Sequence, residues 1–339
     1  MTWLLFTSVA NEYEGNSMQS LGLKHGRHWT LDQVPTEKIK CYLCQGIDFT
    51  VLCETDRYDM KIVTVGCNGC GLVLTNPQPT DAALDEFYAE FYRRYYQKVT
   101  VPSLKYIQEF KKDERAAETA VFLNNAGAIH DHAAVLDIGA SEGCILKALR
   151  AQDIGLKCVA VEPNMEFAKF AKEYADCEIC NHLEDLKHLN LQFDLIILNH
   201  VFEHLPNPTA YLRLLSSLLT PIGKIYIDVP DLLKYKGLES LHIAHLYHFT
   251  ERTLSATISC AGFEVIVMQP HSPKMHPESI RVLLHFNPVA TKPELTSIRE
   301  GWEIIRAIAV DAPRYHRHRL PKYRRRIAAM CDRISSLLE

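Results

Sequence analysis

Four cysteines stand in two pairs, Cys41-x-x-Cys44 and Cys67-x-x-Cys70, each beside a turn glycine, Gly46 and Gly71. Two such knuckles supply four thiolates, the donor set of a closed tetrahedral zinc site with no position left for water. The expectation is therefore a structural zinc on Cys41, Cys44, Cys67 and Cys70. A second chemistry-bearing run is Val135-Leu136-Asp137-Ile138-Gly139-Ala140-Ser141-Glu142-Gly143. Its apolar half reads as a strand, and its glycines allow a tight turn and close approach to a ligand. A further carboxylate, Glu162, closes the next strand-like run, KCVAVEP. A third group is rich in histidine: His242, His245 and His248 in SLHIAHLYHFTERTL. Histidine titrates nearest to neutrality, so such side chains suit proton transfer.

Placing these groups together requires a scaffold, and the pattern from residue 133 onward supplies one. Short apolar runs (AAVLDIG, KCVAVEP, FDLIILNHV, GKIYIDVP) alternate with amphipathic ones (GCILKALRAQ, MEFAKFAKEYA, AYLRLLSSLL, TLSATISCAG). Runs such as LIIL fit strands covered on both faces. The alternation predicts an α/β fold with a doubly wound sheet over 130–287. FEVIVMQ and IRVLLHF are expected to close it as an antiparallel pair at one edge. Residues 81–125 predict two helices separated at Val101-Pro102-Ser103, and 294–339 predict two more, broken near Pro321. The domain reading is an extension (1–38), a zinc ribbon with a linker helix (39–98), a ligand-binding domain (99–288) and a basic helical segment (289–339). The isolated pair Cys177-x-x-Cys180 is read as packing between a helix and a strand.

A strand-to-helix turn in a doubly wound sheet lies at the carboxyl edge, where ligands bind, and a carboxylate at the end of the second strand can accept both ribose hydroxyls. Here the glycine pattern departs from the dinucleotide fingerprint, because Ser141 stands where its second glycine would be. Asp137 would repel a pyrophosphate but not an amino-acid end. This favours S-adenosylmethionine over NAD. The ordered set DIGASEG, VEP, FDLIILNHVFEHL, IGKIYIDVPD and AGFEV resembles the class I S-adenosylmethionine-dependent methyltransferases over residues 100–287. The resemblance implies a Rossmann-like methyltransferase sheet. It implies that Asp137, Gly139, Ala140 and Gly143 shape the pocket for the methionine portion. Glu162 would then hold the ribose, with Pro163 and Asn164 bordering it. The adenine would sit near Leu183 and Glu184, and Asn199 and His200 beside the sulfonium.

The block CNGCGLVLTNPQP and the following FYAEFY resemble a group of bacterial methyltransferases that carry a zinc ribbon before the catalytic domain and act on nucleotide-linked sugars and related small molecules. That resemblance implies methyl transfer to oxygen or carbon of a small-molecule acceptor, with Tyr88 and Tyr92 approaching the cleft. It also brings an HxxHFT segment, so His245 or His248 is expected as the general base, with Tyr247 nearby and His200 as the histidine closest to the methyl group. The sugar C-methyltransferases of this type carry a long further C-terminal domain, whereas about 50 residues follow the last strand here.

Composition bounds these readings. The chain has 339 residues, 47% hydrophobic and 23% charged, with net charge -4. This is an ordinary globular composition that excludes wholesale disorder. No apolar run reaches the ~20 residues of a membrane span, and the eleven cysteines fit a reducing, cytoplasmic compartment. Two rival functions remain at this point. One is an RNA methyltransferase gripping phosphates with the basic run RYHRHRLPKYRRR, although the rest of the chain is acidic. The other is a non-enzymatic module that uses the ribbon to recruit a partner.

Overall fold

The structure, a computed structural model, describes residues 34–88, 92–93, 99–152, 155–289, 295 and 298–335, with backbone alone for 319–335. The extension expected over 1–38 lies almost wholly outside the described residues. The N-terminal part runs through β1 (Thr36–Glu37), β2 (Phe49–Cys53), β3 (Thr64–Cys67), β4 (Val73–Thr75) and β5 (Gln78–Pro79). It continues into α1 (Asp81–Glu86), α2 (Leu104–Glu109) and α3 (Lys112–Asn125). The long helix expected after Leu104 is divided at Lys111, whose φ of 54° cannot continue a right-handed helix. Ser103 caps α2 by accepting from the Tyr106 amide, as its place after Pro102 suggests.

From β6 (Ala134–Ile138) the alternation proceeds as expected: α4 (Cys144–Arg150), β7 (Lys157–Val161), α5 (Met165–Ala175), β8 (Glu178–Cys180) and β9 (Phe193–Asn199). Then come α6 (Pro208–Ser216), β10 (Leu219–Pro230), β11 (Tyr247–His248), α7 (Glu251–Cys260), β12 (Phe263–His271), β13 (Ser279–Phe286) and α8 (Trp302–Ser335). Seven strands form one sheet in the order β12-β13-β10-β9-β6-β7-β8. The five from β10 to β8 are parallel, and β13 runs antiparallel to both β10 and β12. The antiparallel edge pair is thus present, with the last strand inserted next to β10.

Alternation along the strands separates two cores. Leu136, Ile196, Leu198, Ile225 and Ile227 face α6, α7 and the ribbon. Val135, Leu195, Ile197 and Tyr226 face α3 and α4. The ribbon therefore shares the first core with the sheet. A second, four-stranded sheet orders β11-β4-β3-β2, so a segment lying between β10 and α7 completes the ribbon. Tyr42 Oη lies 2.8 Å from Thr257 Oγ1 on α7. Trp302 at the start of α8 is fully buried and donates its indole N–H to Gly71 O at 2.9 Å. Truncating a buried tryptophan costs about 3–5 kcal/mol, so this contact anchors α8 firmly. The expected break near Pro321 is absent: α8 runs unbroken through Pro313 and Pro321. A proline removes one intrahelical hydrogen bond but need not end a helix whose first turns are already docked. Among the described residues, no helix is long and apolar enough to cross a membrane.

Candidate active site

The turn after β6 is built on backbone that few residues tolerate. Gly139 has φ of 71°, and a Cβ there would stand 2.6 Å from Val201 Cγ2. Gly139 also donates its amide to Val161 O at 2.8 Å, which ties the turn to β7. Gly143 has a different task. A Cβ at this position would meet Ala175 and Ala171, at 3.0 and 3.2 Å for their Cβ atoms, so it lets α4 approach α5 and does not line the cleft.

Glu162 is buried at the end of β7, where two backbone amides fix its carboxylate. Ser141 N donates to Oε2 and Asn164 N to Oε1, each at 3.0 Å. Arg93 adds an ion pair at 2.9 Å to Oε1 and a hydrogen bond to Ser141 Oγ at 3.0 Å. The Arg93 guanidinium also lies over the Phe167 ring, 3.8 Å from its centroid. Asp137 lies close by, and burial together with the charge of Glu162 pushes its carboxyl up to about 8. Pro163, Asn164, Ala140, Asn199 and Leu183 line the same cleft, whereas Glu184 does not. Tyr88 and Tyr92 border it with rings 5.2 Å apart.

At the far end of the cleft stand His200 and His276, with ring centroids 4.1 Å apart. His200 follows β9 with φ of 54°, and its amide bonds Asp228 O at 2.8 Å. Both of its ring nitrogens face carboxylates: Nδ1 is 3.5 Å from Glu203 Oε1, and Nε2 is 3.8 Å from Asp228 Oδ1. Asp228 accepts from His271 Nδ1 at 2.6 Å and Tyr226 Oη at 3.1 Å. Burial opposes its ionisation, but the hydrogen bond from His271 and the nearby imidazole charges hold its carboxyl below the usual range. Burial lowers His276 well below the ordinary imidazole value, and His200, Arg115, Lys112 and His271 lower it further.

Residues 102–267 match the model of a protein family described as "Methyltransferase domain". The chain carries an S-adenosylmethionine-dependent methyltransferase domain. This methyltransferase is similar in fold to the magnesium protoporphyrin IX methyltransferase of Synechocystis PCC 6803, solved with bound S-adenosylhomocysteine. The match has 15% identity and a TM-score of 0.46, covering 61% of this chain and 99% of that one. It is also similar to the 1,6-didemethyltoxoflavin-N1-methyltransferase of Burkholderia thailandensis, at 20% identity and TM-score 0.46, covering 64% of this chain and 96% of the other. No curated protein sequence matches the chain.

The residues of the methyltransferase fit its cofactor. A carboxylate has about four lone-pair sites. Backbone amides occupy one on each oxygen of Glu162, and Arg93 takes a third, at the place where ribose hydroxyls are expected. An ammonium group beside Asp137 would offset the burial and the Glu162 charge that together raise its carboxyl.

The histidine-rich segment behaves differently from expectation. His248 belongs to β11, pairs with Val73 of β4 and lies 3.0 Å from Tyr235 Oη through Nδ1. Tyr247 packs edge-on against Tyr42 of the ribbon at 4.8 Å. His245 turns toward Glu203. None of the three lines the cleft, because the ribbon sheet has recruited this segment as its fourth strand. Thr250 caps α7. The residue missed by sequence reasoning is His276, in the β12–β13 loop beside the end of β10. Its position between two strands that reach the carboxyl edge is the signal that could have found it.

The four cysteine sulfurs meet as the paired spacing predicts, all within 4.8 Å of one another. The Cys41–Cys70 and Cys44–Cys67 separations are 3.6 and 3.4 Å. Sulfurs around a tetrahedral zinc stand about 3.8 Å apart, so the donor set fits that ion. Knuckle hydrogen bonds from Gln45 N to Cys41 O and from Gly71 N to Cys67 O, both 2.8 Å, shape the two turns. Cys177 and Cys180 are buried within the two cores, outside any such grouping among the described residues.

Proposed function

We propose that the methyltransferase transfers a methyl group to oxygen or carbon of a small-molecule acceptor, a nucleotide sugar or a related biosynthetic intermediate, bound at the His200–His276 end of the cleft. One observation carries the reading: a single cleft runs from the Gly139 turn and Glu162 to that pair of imidazoles. S-adenosylmethionine supplies an electrophilic methyl group on a sulfonium. Glu162 binds its ribose hydroxyls in place of Arg93, and Asp137 holds its amino end. Ala140 and Pro163 form the walls, and Asn199 lies toward the sulfonium. His276 takes the acceptor's proton. His200 is less suited to that step, because both of its ring nitrogens already face carboxylates. Arg115 also lines the cleft. Among the described residues its hydrogen bonds go to carbonyl oxygens, Phe110 O and Lys274 O, which leaves its charge for an anionic acceptor such as a phosphate ester.

The four-thiolate cluster is read as structural zinc within a ribbon over 39–98, ahead of a catalytic domain over 99–288 and a basic segment over 289–339. The setting is read as cytoplasmic, a reducing compartment in which paired cysteines more often bind metal than form bridges.

The test uses purified protein, methyl-labelled S-adenosylmethionine and an extract fractionated into small molecules, RNA and protein. Label in the small-molecule fraction is expected. Label confined to RNA would overturn the acceptor class and bring the basic segment forward as a phosphate grip.

Glu162→Ala is expected to weaken cofactor affinity at least about 100-fold, because two hydrogen bonds to a charged acceptor are lost at about 1.5 kcal/mol or more each. Calorimetric titration with S-adenosylhomocysteine checks this. Unchanged affinity would remove the ribose assignment.

A further inference from the structure

Beneath the cleft, between the turn Phe202–His204 and the segment leading into β11, sits a second group of metal-type donors. We propose that Glu203, His204 and His245 bind a divalent first-row transition-metal ion, independently of the ribbon cysteines and of the methyl-transfer reading. Glu203 is 1% exposed, and neither of its carboxylate oxygens is in hydrogen-bond geometry with a donor among the described residues. The nearest ring nitrogen, His200 Nδ1, stands 3.5 Å from Oε1, and that ring is shared with Asp228 on its other side. A carboxylate stripped of water without a partner costs several kcal/mol, and buried charges are normally paired or bound to metal.

The neighbouring atoms are ligand nitrogens at near-ligand spacing. His204 Nε2 is 3.7 Å and His245 Nε2 is 3.8 Å from Glu203 Oε1, and the three donors lie within 4.8 Å of one another. These separations are too long for hydrogen bonds. Donors around a tetrahedral ion with bonds of about 2.1 Å stand about 3.4 Å apart, so closure by a few tenths of an ångström brings Glu203 to ligand spacing from each imidazole.

The decisive feature is the tautomer of His204. Its Nδ1 lies 2.6 Å from Ala244 O, a carbonyl that can only accept. The proton therefore sits on Nδ1, and the Nε2 of the neutral ring presents a lone pair to a carboxylate that presents lone pairs in return. Acceptor facing acceptor is repulsive unless a positive charge offsets it. His200, 3.5 Å from the same oxygen, already faces Asp228 through its other nitrogen, so a cation between His204 and Glu203 relieves the contact most directly. A histidine whose outer nitrogen donates to a backbone carbonyl is also the usual support of a metal ligand. His245 adds a second ring, packed against His242 at 3.7 Å between centroids. Two imidazoles and one carboxylate select Zn2+ or Fe2+ over Mg2+ or Ca2+, which prefer oxygen donors alone.

The location gives the ion a task. Leu246 N donates to Glu203 O at 3.0 Å, and Thr75 Oγ1 of β4 donates to His245 O at 3.1 Å. His204 itself lines the cleft and lies 3.0 Å from Tyr88 Oη. The ion would clamp the loop after β9 to the strand that completes the ribbon, and so hold the cleft wall against the ribbon.

The test loads metal-stripped full-length protein with Co2+ and reads both stoichiometry and spectrum. Thiolate-bound cobalt gives intense charge-transfer absorption, whereas a site of nitrogen and oxygen donors gives only weak d–d bands. Two equivalents are expected in the unaltered chain, one of each type. In His245→Ala and, separately, Glu203→Gln, the equivalent without charge transfer is expected to disappear while the thiolate bands stay. Cobalt bound to thiolate alone in the unaltered chain would overturn the proposal, as would full retention of the weak bands in both variants. The titration of the unaltered chain needs no substitution, so it decides the proposal even where a variant fails to fold. Failure of the ribbon assignment would show separately, as loss of the charge-transfer bands.

Discussion

Cys67→Ser is expected to lower the melting temperature by about 8–16 °C and to abolish one equivalent of bound zinc. A structural zinc contributes about 10–16 kcal/mol of apparent binding free energy at neutral pH, against a total stability of about 5–15 kcal/mol for a folded domain. Serine keeps the size of the side chain but not the thiolate, so three donors remain where four are needed. The loss will not stay local. Leu72, Leu74 and Val65 of the ribbon belong to the same core as Ile196 and Ile225 of the large sheet. β11 hangs on β4 through Tyr247 and His248, and Trp302 docks on Gly71 O. If about 4 kcal/mol of the ribbon's contribution reaches the whole fold, the shift of about 2–4 °C per kcal/mol gives the stated drop. Scanning calorimetry with and without a chelator, paired with elemental analysis, decides the matter. A melting curve indifferent to chelator, in a protein free of zinc, would sink the zinc assignment.

That coupling also explains which parts of the structure are legible in the sequence. The Gly139 turn can be read locally, because a short strand, a positive-φ glycine and a helix start leave their mark within ten residues. The long strands can be read for the same reason: LIIL and IYIDV carry the continuous apolar character of strands covered on both sides. The cysteine knuckles declare themselves by spacing. Pairings between distant segments leave no such mark. β8 has three residues and β11 only two, too few for any period to show. The histidine segment reads as a cleft loop because it follows the fifth parallel strand. Nothing within it announces that Val73 and Leu74, far back in the chain, claim it as an edge strand. Gly143 reads as a ligand residue because its turn is recognisable, whereas the contact that requires it, with Ala171 and Ala175, lies a helix away. Arg93 on Glu162 is likewise a meeting of residues that only the fold brings together.

The base is the sharpest instance, and His276→Gln is the substitution that tests it. It is expected to lower kcat by about 10²- to 10⁴-fold, the usual contribution of a positioned general base, with little change in cofactor affinity or in acceptor KM. Glutamine retains hydrogen-bonding capacity and approximate size but cannot take a proton at neutral pH. Access and charge favour His276 over the other histidines. His248 is held in the ribbon sheet, His245 turns toward Glu203 outside the cleft lining, and His200 has a carboxylate opposite each ring nitrogen. His276 lines the cleft, and burial with the positive neighbours Arg115 and Lys112 keeps its ring neutral well below the ordinary imidazole range. A base with a depressed pKa is already unprotonated at neutral pH. The acid limb of kcat is therefore expected below pH 6.5, the unperturbed value for histidine, and the limb due to this residue should vanish in the variant. A kcat within threefold of the unaltered enzyme, or an unchanged acid limb, would take the proton transfer away from His276. A large rise in KM at constant kcat would instead make it a contact that binds the acceptor without doing chemistry on it.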